Sequence, residues 1–274
     1  MFTKRIAVIM SIYKNDILDY VKSSVESVLN QTYKYFDFYI QFDGIVNEDV
    51  NYYLTNNNDE RIKIYTRNEN KGLAASLNDL LAIVRKGKYE YVARMDADDI
   101  CLTDRFEKQL TYLERHPSID LIGGAINEID EYGNNRGKIT RYPSNPEDFR
   151  SFFAKRNPVA HPTVVFRRCF FDKVGWAYPT DYIRNEDTRL WLECYKHGCV
   201  IANISDVVLN FRMTDNMFKS RRNGKYFAKS QLELRKKIKK ELGYGPMSMF
   251  YAYAMYILMI SPSWILKSAY RIFR

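Results

Sequence analysis

Short apolar runs alternate with amphipathic stretches along the first half of the chain. The run from Arg5 to Ile12 is apolar at almost every position, which predicts a strand buried on both faces. Further strands are predicted at 36–42, 61–66, 91–95 and 119–126, with helices at 17–31, 72–84 and 103–115 between them. Strands and helices that alternate at this spacing are typical of βαβ units, so we expect an α/β fold with a mostly parallel sheet.

The pattern is less regular after residue 126. Residues 130–146 are polar and rich in glycine and proline, which predicts a loop or a hairpin. An apolar strand is then expected near residue 165, a helix at 188–196, short strands at 200–204 and 207–211, and a basic helix at about 224–242. A chain of 274 residues has room for one large α/β domain with a helical C-terminal extension.

Three carboxylates follow the fourth predicted strand within four residues, at Asp96, Asp98 and Asp99. Carboxylates this close repel one another unless a positive group lies between them. Oxygen ligands suit Mg²⁺ or Mn²⁺, and a diphosphate can bind the other side of such a metal. We therefore predict a metal-diphosphate site at this edge of the sheet. The alternative is a solvated loop in which Asp99 or Thr103 caps the next helix. Arg94 can either hydrogen-bond these acids or point to the other side of the sheet, and we favour the second direction.

The positive charge of the chain is concentrated near its C-terminus. Eleven Lys and Arg residues and two acidic residues lie between Arg212 and Lys240, so this segment accounts for the net charge of +9. Such a segment can bind nucleic acid, anionic lipid or a phosphorylated substrate, or form a solvated helix face. We favour lipid or phosphate and expect no nucleic-acid partner.

The last stretch is apolar. Residues 247–260 have one polar residue, Ser248, and are shorter than the roughly 20 residues that span a bilayer. The following segment mixes aromatic and basic residues, including Trp264 and Arg271. This pattern favours a helix that lies in the membrane interface. The alternative is a helix pair that packs on the core or on a second copy of the chain, as in a homo-oligomer.

Cysteine usage and the N-terminus bear on the compartment. The four cysteines have neither zinc-site spacing nor the density of a disulfide scaffold, and they fit a reducing compartment. The apolar run near the N-terminus ends at Tyr13, which favours a strand over a signal peptide. We expect a cytoplasmic protein associated peripherally with the inner face of the cytoplasmic membrane.

Several motifs together resemble the family 2 glycosyltransferases, in the order in which they occur in that family. They are residues 6–15, 24–33, Asp43-Gly44, Asn70-Lys71-Gly72 with Asn78, Asp96–Asp99 with Arg105, His161-Pro162 and Glu186–Trp191. The resemblance covers roughly residues 4–213 and is strongest to bacterial enzymes that build capsule, exopolysaccharide or lipopolysaccharide. It implies a GT-A fold with a Rossmann-like sheet, a nucleotide-sugar donor, a divalent metal and inversion at the anomeric carbon.

The same resemblance suggests a division of the chain. A glycosyltransferase domain would occupy residues 1–213, with a nucleotide-binding half at about 1–126 and an acceptor half at about 127–213. The C-terminal extension would occupy residues 214–274.

The resemblance also implies nucleotide ligands. Ser11 and Tyr13 would lie along the nucleotide, and Asn78 would contribute to the same site. Asp43 matches a carboxylate that accepts a hydrogen bond from the uracil ring, which favours a UDP-sugar. The family often has two acids before this glycine, and here Phe42 replaces the first of them.

The acidic cluster would hold both ribose and metal. By the resemblance Asp98 binds the ribose and Asp99 binds Mn²⁺ or Mg²⁺. Asp96 would be either a second metal ligand or a supporting acid.

A base is needed because inversion requires an acceptor hydroxyl to lose its proton as it attacks. Asp187 matches the family base, and Glu186 is the alternative if the helix starts earlier than predicted. An Asp in the first turn of a helix can also be purely structural.

The remaining candidates have weaker support. His161 matches a position near the donor phosphate or the acceptor, and Trp191 either stacks on the acceptor sugar or belongs to the core. Lys219, Arg221 and Arg222 are placed to close over the diphosphate.

Three rival functions fit this sequence less well than a transferase does. An Asp-x-Asp phosphotransferase would carry its motif on the first strand, and a sugar-nucleotide pyrophosphorylase would have a glycine-rich loop between Ser11 and Asp16. A non-catalytic membrane-associated scaffold would not need the retained acids. We therefore expect an inverting transferase that extends a lipid-linked glycan.

Overall fold

The doubly buried first strand lies inside a nine-stranded sheet in the computed structural model, which describes residues 4–182, 184–214 and 224–273. The strands are β1 (Ile6–Ile12), β2 (Phe36–Phe42), β3 (Ile62–Thr66), β4 (Tyr91–Arg94), β5 (Ile100–Cys101), β6 (Leu121–Ile129), β7 (Asn135–Thr140), β8 (Val165–Arg167) and β9 (Ile201–Arg212). Their order is β3-β2-β1-β4-β8-β6-β9-β5, and β7 pairs with β6. The expected α/β fold is confirmed.

The sheet reverses its winding at β1. Strands β2 and β3 lie on one side of β1 and β4 lies on the other, and all four are parallel. Strands β4 and β6 each pair with β8 in the antiparallel sense. The carboxyl ends of β1, β2 and β4 therefore meet at one edge, at the switch point where α/β sheets bind ligands.

Helices cover both faces of the sheet. They are α1 (Leu18–Leu29), α2 (Glu48–Thr55), α3 (Leu73–Val84), α4 (Arg105–Arg115), α5 (Pro146–Phe153), α6 (Arg168–Val174), α7 (Glu186–Lys196), α8 (Lys225–Leu242), α9 (Met247–Ile260) and α10 (Ser263–Phe273). Alternate residues of β1 point to opposite faces. Val8 joins a core with α1, while Ile9 joins a second core with α3, α7 and α8. This explains why β1 is apolar at consecutive positions.

Local structure differs from the prediction in six places. Helices α2, α5 and α6 were not predicted, and the two short strands after residue 200 form the single strand β9, with a register shift opposite Gly124 and Ala125. Helix α7 begins at Glu186, two residues earlier than predicted. Helix α4 begins at Arg105 after Asp104, so neither Asp99 nor Thr103 caps it.

The C-terminal helices join the rest of the fold through α8. Leu234 and Ile238 of α8 are buried in the same core as α7. The residues of helix α9 are half-buried or exposed, except for the buried Ala252. Across the described ranges, none of the helices combines the length and the apolar character needed to cross a membrane.

Candidate active site

Three carboxylates meet in the turn between β4 and β5, and we call Asp96, Asp98 and Asp99 the acidic triad. Each offers an oxygen, and these oxygens all lie within 4.8 Å of one another. Asp99 is buried, and its Oδ2 has no hydrogen-bond partner among the described residues. Burial raises the pKa of Asp99 well above its usual range, and the charges of Asp98 and Asp96 raise it further. The donor set therefore fits a divalent cation, which would neutralise the triad.

Arg94 lies beneath the triad, so the expectation that it points away is wrong. Its guanidinium is buried and forms a bidentate ion pair with Asp96, in which Nη1 donates to Oδ2 at 2.6 Å and Nη2 donates to Oδ1. A buried guanidinium needs a carboxylate partner, and Asp96 is the one within reach. One member of the triad is thus already held by a protein cation.

Arg212 braces the triad from the end of β9, and the sequence analysis missed it. Its backbone N–H donates to Oδ1 of Asp99 at 2.8 Å, and its Nε donates to the carbonyl of Asp98 at 2.8 Å. Its guanidinium also lies 4.2 Å from the ring centre of Tyr20. Arg212 and Asp99 are 113 positions apart in the sequence, so no local sequence pattern can predict this contact.

Asp43 lies at the end of β2 and has a full set of partners. Its Oδ1 accepts the N–H of Lys71 at 2.8 Å and two hydrogen bonds from Arg67, and its Oδ2 accepts the N–H of Gly72 at 2.9 Å. The next residue, Gly44, has a φ of +82°, and a Cβ there would lie 2.9 Å from the backbone of residue 70. These contacts make Asp43 a structural anchor, and its binding to a base stays a prediction.

Two other predicted nucleotide ligands lie at the same edge of the sheet, and a third, Asn78, lies on α3. Ser11 and Tyr13 are at the end of β1, between the strands that carry Asp43 and the triad. The side-chain amide of Asn78 makes two hydrogen bonds with the backbone of Tyr178. Its Nδ2 donates to the carbonyl at 3.0 Å, and its Oδ1 accepts the N–H at 2.6 Å. The amide of Asn78 is therefore used within the protein, and its contact with nucleotide stays a prediction.

An acidic pair, Glu186 and Asp187, opens α7. Asn157 donates to Oδ2 of Asp187 at 2.8 Å, and the N–H of Thr188 donates to Oδ1 at 2.6 Å. Burial raises the pKa of Asp187. Burial, and then the charge of Asp187, raise the pKa of Glu186 to about 7.

Electrostatics link this pair to the triad. The charges of Arg94 and Asp96 act on Glu186 in opposite directions, Arg94 lowering its pKa and Asp96 raising it. Glu186 therefore lies within electrostatic range of Arg94 and of one member of the triad, Asp96.

A buried aromatic layer lies behind the acids. His161 Nε2 is 3.0 Å from the hydroxyl of Tyr178, and burial together with the charge of Arg94 lowers the pKa of His161 well below its usual range. Trp191 is fully buried against Phe166 and His161. Of the two alternatives predicted for Trp191, the structure supports the core, because the indole is enclosed. A direct role for His161 stays a prediction.

The three basic residues predicted to close over the diphosphate lie outside the described residues. They are Lys219, Arg221 and Arg222.

Comparisons with known proteins agree over most of the sequence. The sequence model of the family described as glycosyl transferase family 2 matches residues 7–175. The amylovoran biosynthesis glycosyltransferase AmsE of Erwinia amylovora is 35% identical over 230 residues, which cover 83% of each chain. The UDP-Gal:alpha-D-GlcNAc-diphosphoundecaprenol beta-1,3-galactosyltransferase of Escherichia coli is 29% identical over 84% of this chain and 82% of its own.

A solved structure shares the fold. S. aureus TarS 1-349 in complex with UDP-GlcNAc superposes with a TM-score of 0.66 at 14% identity, over 98% of this chain and 73% of that chain. The present chain spans 43% of a longer TarS chain. This likeness supports the GT-A architecture that the sequence predicts.

Proposed function

Because the chain belongs to glycosyl transferase family 2, we propose that it transfers a sugar from a UDP-sugar to a hydroxyl group of a growing lipid-linked surface glycan. The observation that carries this proposal is the acidic triad at the switch point of the sheet, in which Oδ2 of the buried Asp99 has no partner within the part of the chain that the structure describes. The name of the E. coli relative, which gives UDP-Gal as donor and a diphosphoundecaprenol-linked acceptor, supports the choice of donor and acceptor.

In this proposal the triad would hold Mn²⁺ or Mg²⁺ at the donor site. Asp99 would be the principal metal ligand, Asp98 would bind the ribose, and Asp96 would support the site from its ion pair with Arg94. A bound divalent metal would act as a Lewis acid that neutralises the departing diphosphate. The brace from Arg212 keeps the turn in place, so that the carboxylates need not reorganise during the reaction.

Asp187 acts as the general base. The acceptor oxygen bonds to the anomeric carbon while the bond from that carbon to the diphosphate oxygen breaks, and the hydroxyl proton passes to the carboxylate. Asn157 and Thr188 orient this carboxylate, and its raised pKa makes it a stronger base than an exposed aspartate. Glu186 remains the alternative, because α7 begins at that residue and its pKa of about 7 suits proton transfer near neutral pH.

The C-terminal helices would bring the enzyme to its lipid-linked acceptor. Met247, Phe250 and Ile257 of α9 recur at helical spacing and are 77%, 73% and 60% exposed, and Trp264 of α10 is 69% exposed. We call these four residues the apolar stripe. Lysines of α8 line a shallow hollow beside α9, and they are Lys236, Lys239 and Lys240. Exposed apolar residues next to lysines fit the surface of an anionic bilayer, which would be the inner face of the cytoplasmic membrane.

The transferase proposal is tested by calorimetric titration with UDP, GDP, CMP and dTDP, each with and without Mn²⁺. We expect Mn²⁺-dependent binding of UDP, followed by turnover of a UDP-sugar with a diphosphoundecaprenol-linked acceptor. Binding of a different base would overturn the UDP assignment. Failure of all four nucleotides would favour the scaffold or the phosphotransferase.

The membrane proposal is tested by sedimentation with vesicles that contain phosphatidylglycerol. We expect the full chain to sediment with these vesicles and the double variant Phe250→Ser/Trp264→Ser to stay in solution. The control Tyr52→Ser/Tyr132→Ser removes aromatic side chains that are 71% and 82% exposed elsewhere on the surface. Equal sedimentation of both variants would contradict a role for the apolar stripe.

A further inference from the structure

Asn185 occupies the N-cap position of α7, directly before the acidic pair. Asparagine at this position usually accepts a hydrogen bond from the first turn of its own helix. Here its side chain makes no capping bond, and the residue is fully buried. The carboxylate of Asp187 takes the N–H of Thr188, which a capping side chain would otherwise bind.

The amide of Asn185 instead contacts α8. Its Oδ1 accepts a hydrogen bond from Nε2 of Gln231, and its Nδ2 donates to Oγ of Ser230 at 3.3 Å. Both groups of a fully buried amide are thus bonded to one neighbouring helix. We call these three residues the α7–α8 clamp.

Arg235 joins α8 to a different neighbour, α5. It lies one turn after Gln231 on α8, and its Nη1 donates to the carbonyl of Phe153 at 2.6 Å. The positive charge of Arg235 lowers the pKa of Asp187, against the effect of burial. Helix α8 therefore acts on the acidic pair both by contact and by charge.

We propose that the α7–α8 clamp positions the acidic pair for catalysis, so that α8 belongs to the catalytic apparatus. This inference rests on the proposed function, because it concerns the base of that reaction. Helix α8 lies beyond the region 7–175 that matches the family. Ser230, Gln231 and Asn185 are positioning residues, since they act through Glu186 and Asp187.

The placement of the clamp explains why it would matter for the rate. Asn185 is bonded covalently to Glu186, so a shift of Asn185 moves both acids relative to the triad. A base must lie within hydrogen-bond reach of the hydroxyl that it deprotonates, and a displacement of about 1 Å can cost about 100-fold in rate. Donor binding at the triad does not depend on the clamp and should survive its loss.

The test compares Gln231→Met with Lys229→Met in the full chain. Methionine has nearly the shape of glutamine and favours helices, so Gln231→Met removes the hydrogen bond with little change in packing. Lys229 is exposed on the same helix and provides the control. The measurements are kcat, KM for the UDP-sugar, UDP binding stoichiometry with Mn²⁺, Tm, and the pH profile of kcat.

We expect Gln231→Met to lower kcat roughly tenfold, in line with the loss of one part-buried hydrogen bond, while KM and UDP stoichiometry stay at wild-type values. The acidic limb of the pH profile should move to lower pH, because a shift of Asn185 exposes the acidic pair to solvent and reverses part of the effect of burial on its pKa. Lys229→Met should match the wild type in every measurement. A merely misfolded fraction lowers the UDP stoichiometry and leaves the pH profile in place.

Three results would overturn the inference. The first two concern the clamp alone, and the third concerns the proposed function. Wild-type kcat for Gln231→Met would show that the clamp does not position the base. A loss of kcat that only matches a loss of UDP stoichiometry would make the clamp a stability contact. A wild-type chain that transfers no sugar from any donor would overturn the proposed function, and the inference with it.

Discussion

Two buried aspartates at the same edge of the sheet have opposite surroundings. Asp43 follows β2 and is 4% exposed, and Asp99 follows β4 and is 1% exposed. The charge of Asp43 is compensated by the guanidinium of Arg67 and by two backbone N–H groups. Asp99 receives one backbone N–H, from Arg212, and lies beside the two other acids of the triad.

The difference separates an acid whose charge is compensated within the protein from an acid whose charge is not. A buried carboxylate is tolerated when a cation and donors surround it, as at Asp43. Asp99 lacks this compensation, so burial and its acidic neighbours raise its pKa. Strongly perturbed acids tend to occur at functional sites. Charge compensation is thus a better guide to function here than burial or residue type.

The largest expected effect comes from removing the uncompensated acid. Asp99→Asn should lower kcat/KM by about 10³, which is about 4 kcal/mol, because metal-dependent stabilisation of the departing diphosphate is lost. Chelation of the metal from wild-type enzyme should have a comparable effect. Transfer assays and UDP titration with Mn²⁺ would check this. Asp104→Asn changes a half-exposed aspartate paired with Lys108 and serves as the control. Wild-type activity of Asp99→Asn would break the comparison.

The second-largest effect is expected at Asp187, a buried acid whose hydrogen-bond donors are neutral. It tests whether such an acid can act as a base. Asp187 accepts hydrogen bonds from the neutral donors Asn157 and Thr188 and has no ion pair among the described side chains. Asp187→Asn should lower kcat by about 10²–10³ while UDP binding is retained, because only proton transfer is lost. Single-turnover kinetics and calorimetry would measure the two quantities. Glu186→Gln should lose less, and the reverse order would identify Glu186 as the base.

Removing the cation beside Asp43 should lower the stability of the protein. Arg67→Met leaves Asp43 buried without its cation, which should lower the free energy of unfolding by about 3 kcal/mol. Urea unfolding would measure this change. Arg115→Met removes an exposed arginine and should change stability little. An Arg67→Met variant as stable as the wild type would mean that Asp43 does not depend on Arg67.

The smallest effect is a gain in stability. The folded protein raises the pKa of Glu186 to about 7, so the ionised carboxylate destabilises the fold above the pKa of the unfolded chain. Glu186→Gln should therefore raise the free energy of unfolding by about 2 kcal/mol at pH 8, and this gain should shrink as the pH falls towards 5. Urea unfolding at both values would check the sign. Glu60→Gln, at an exposed glutamate, is the control.

Local periodicity predicted much of the fold. Strands β1 to β4 and helices α1, α3 and α8 lie close to where the sequence places them, because each depends on spacing within one segment. The acidic triad was also predictable, since three acids directly after an apolar strand are adjacent in the sequence. Short helices such as α6 were not predicted, because their formation depends on packing against distant segments.

Long-range pairings could not be predicted from local spacing. The brace from Arg212 to Asp99 and the contact of Gln231 with Asn185 each join residues that no short motif contains. The direction of Arg94 was wrong because its ion pair with Asp96 depends on how the turn after β4 folds, which periodicity does not show. The burial of Trp191 decides between the two predicted alternatives in favour of the core, as its neighbours Leu190 and Leu192 indicate.

The brace at Arg212 also sets a time for assembly of the site during synthesis. The acids of the triad leave the ribosome long before the residue that secures their turn, 113 positions later. At the usual rates of elongation this delay is roughly 6 to 23 s. A nascent chain that ends before β9 has its carboxylates but not their brace. The braced triad, and any ligand site that it forms, is thus complete only once nearly the whole sheet has been synthesised.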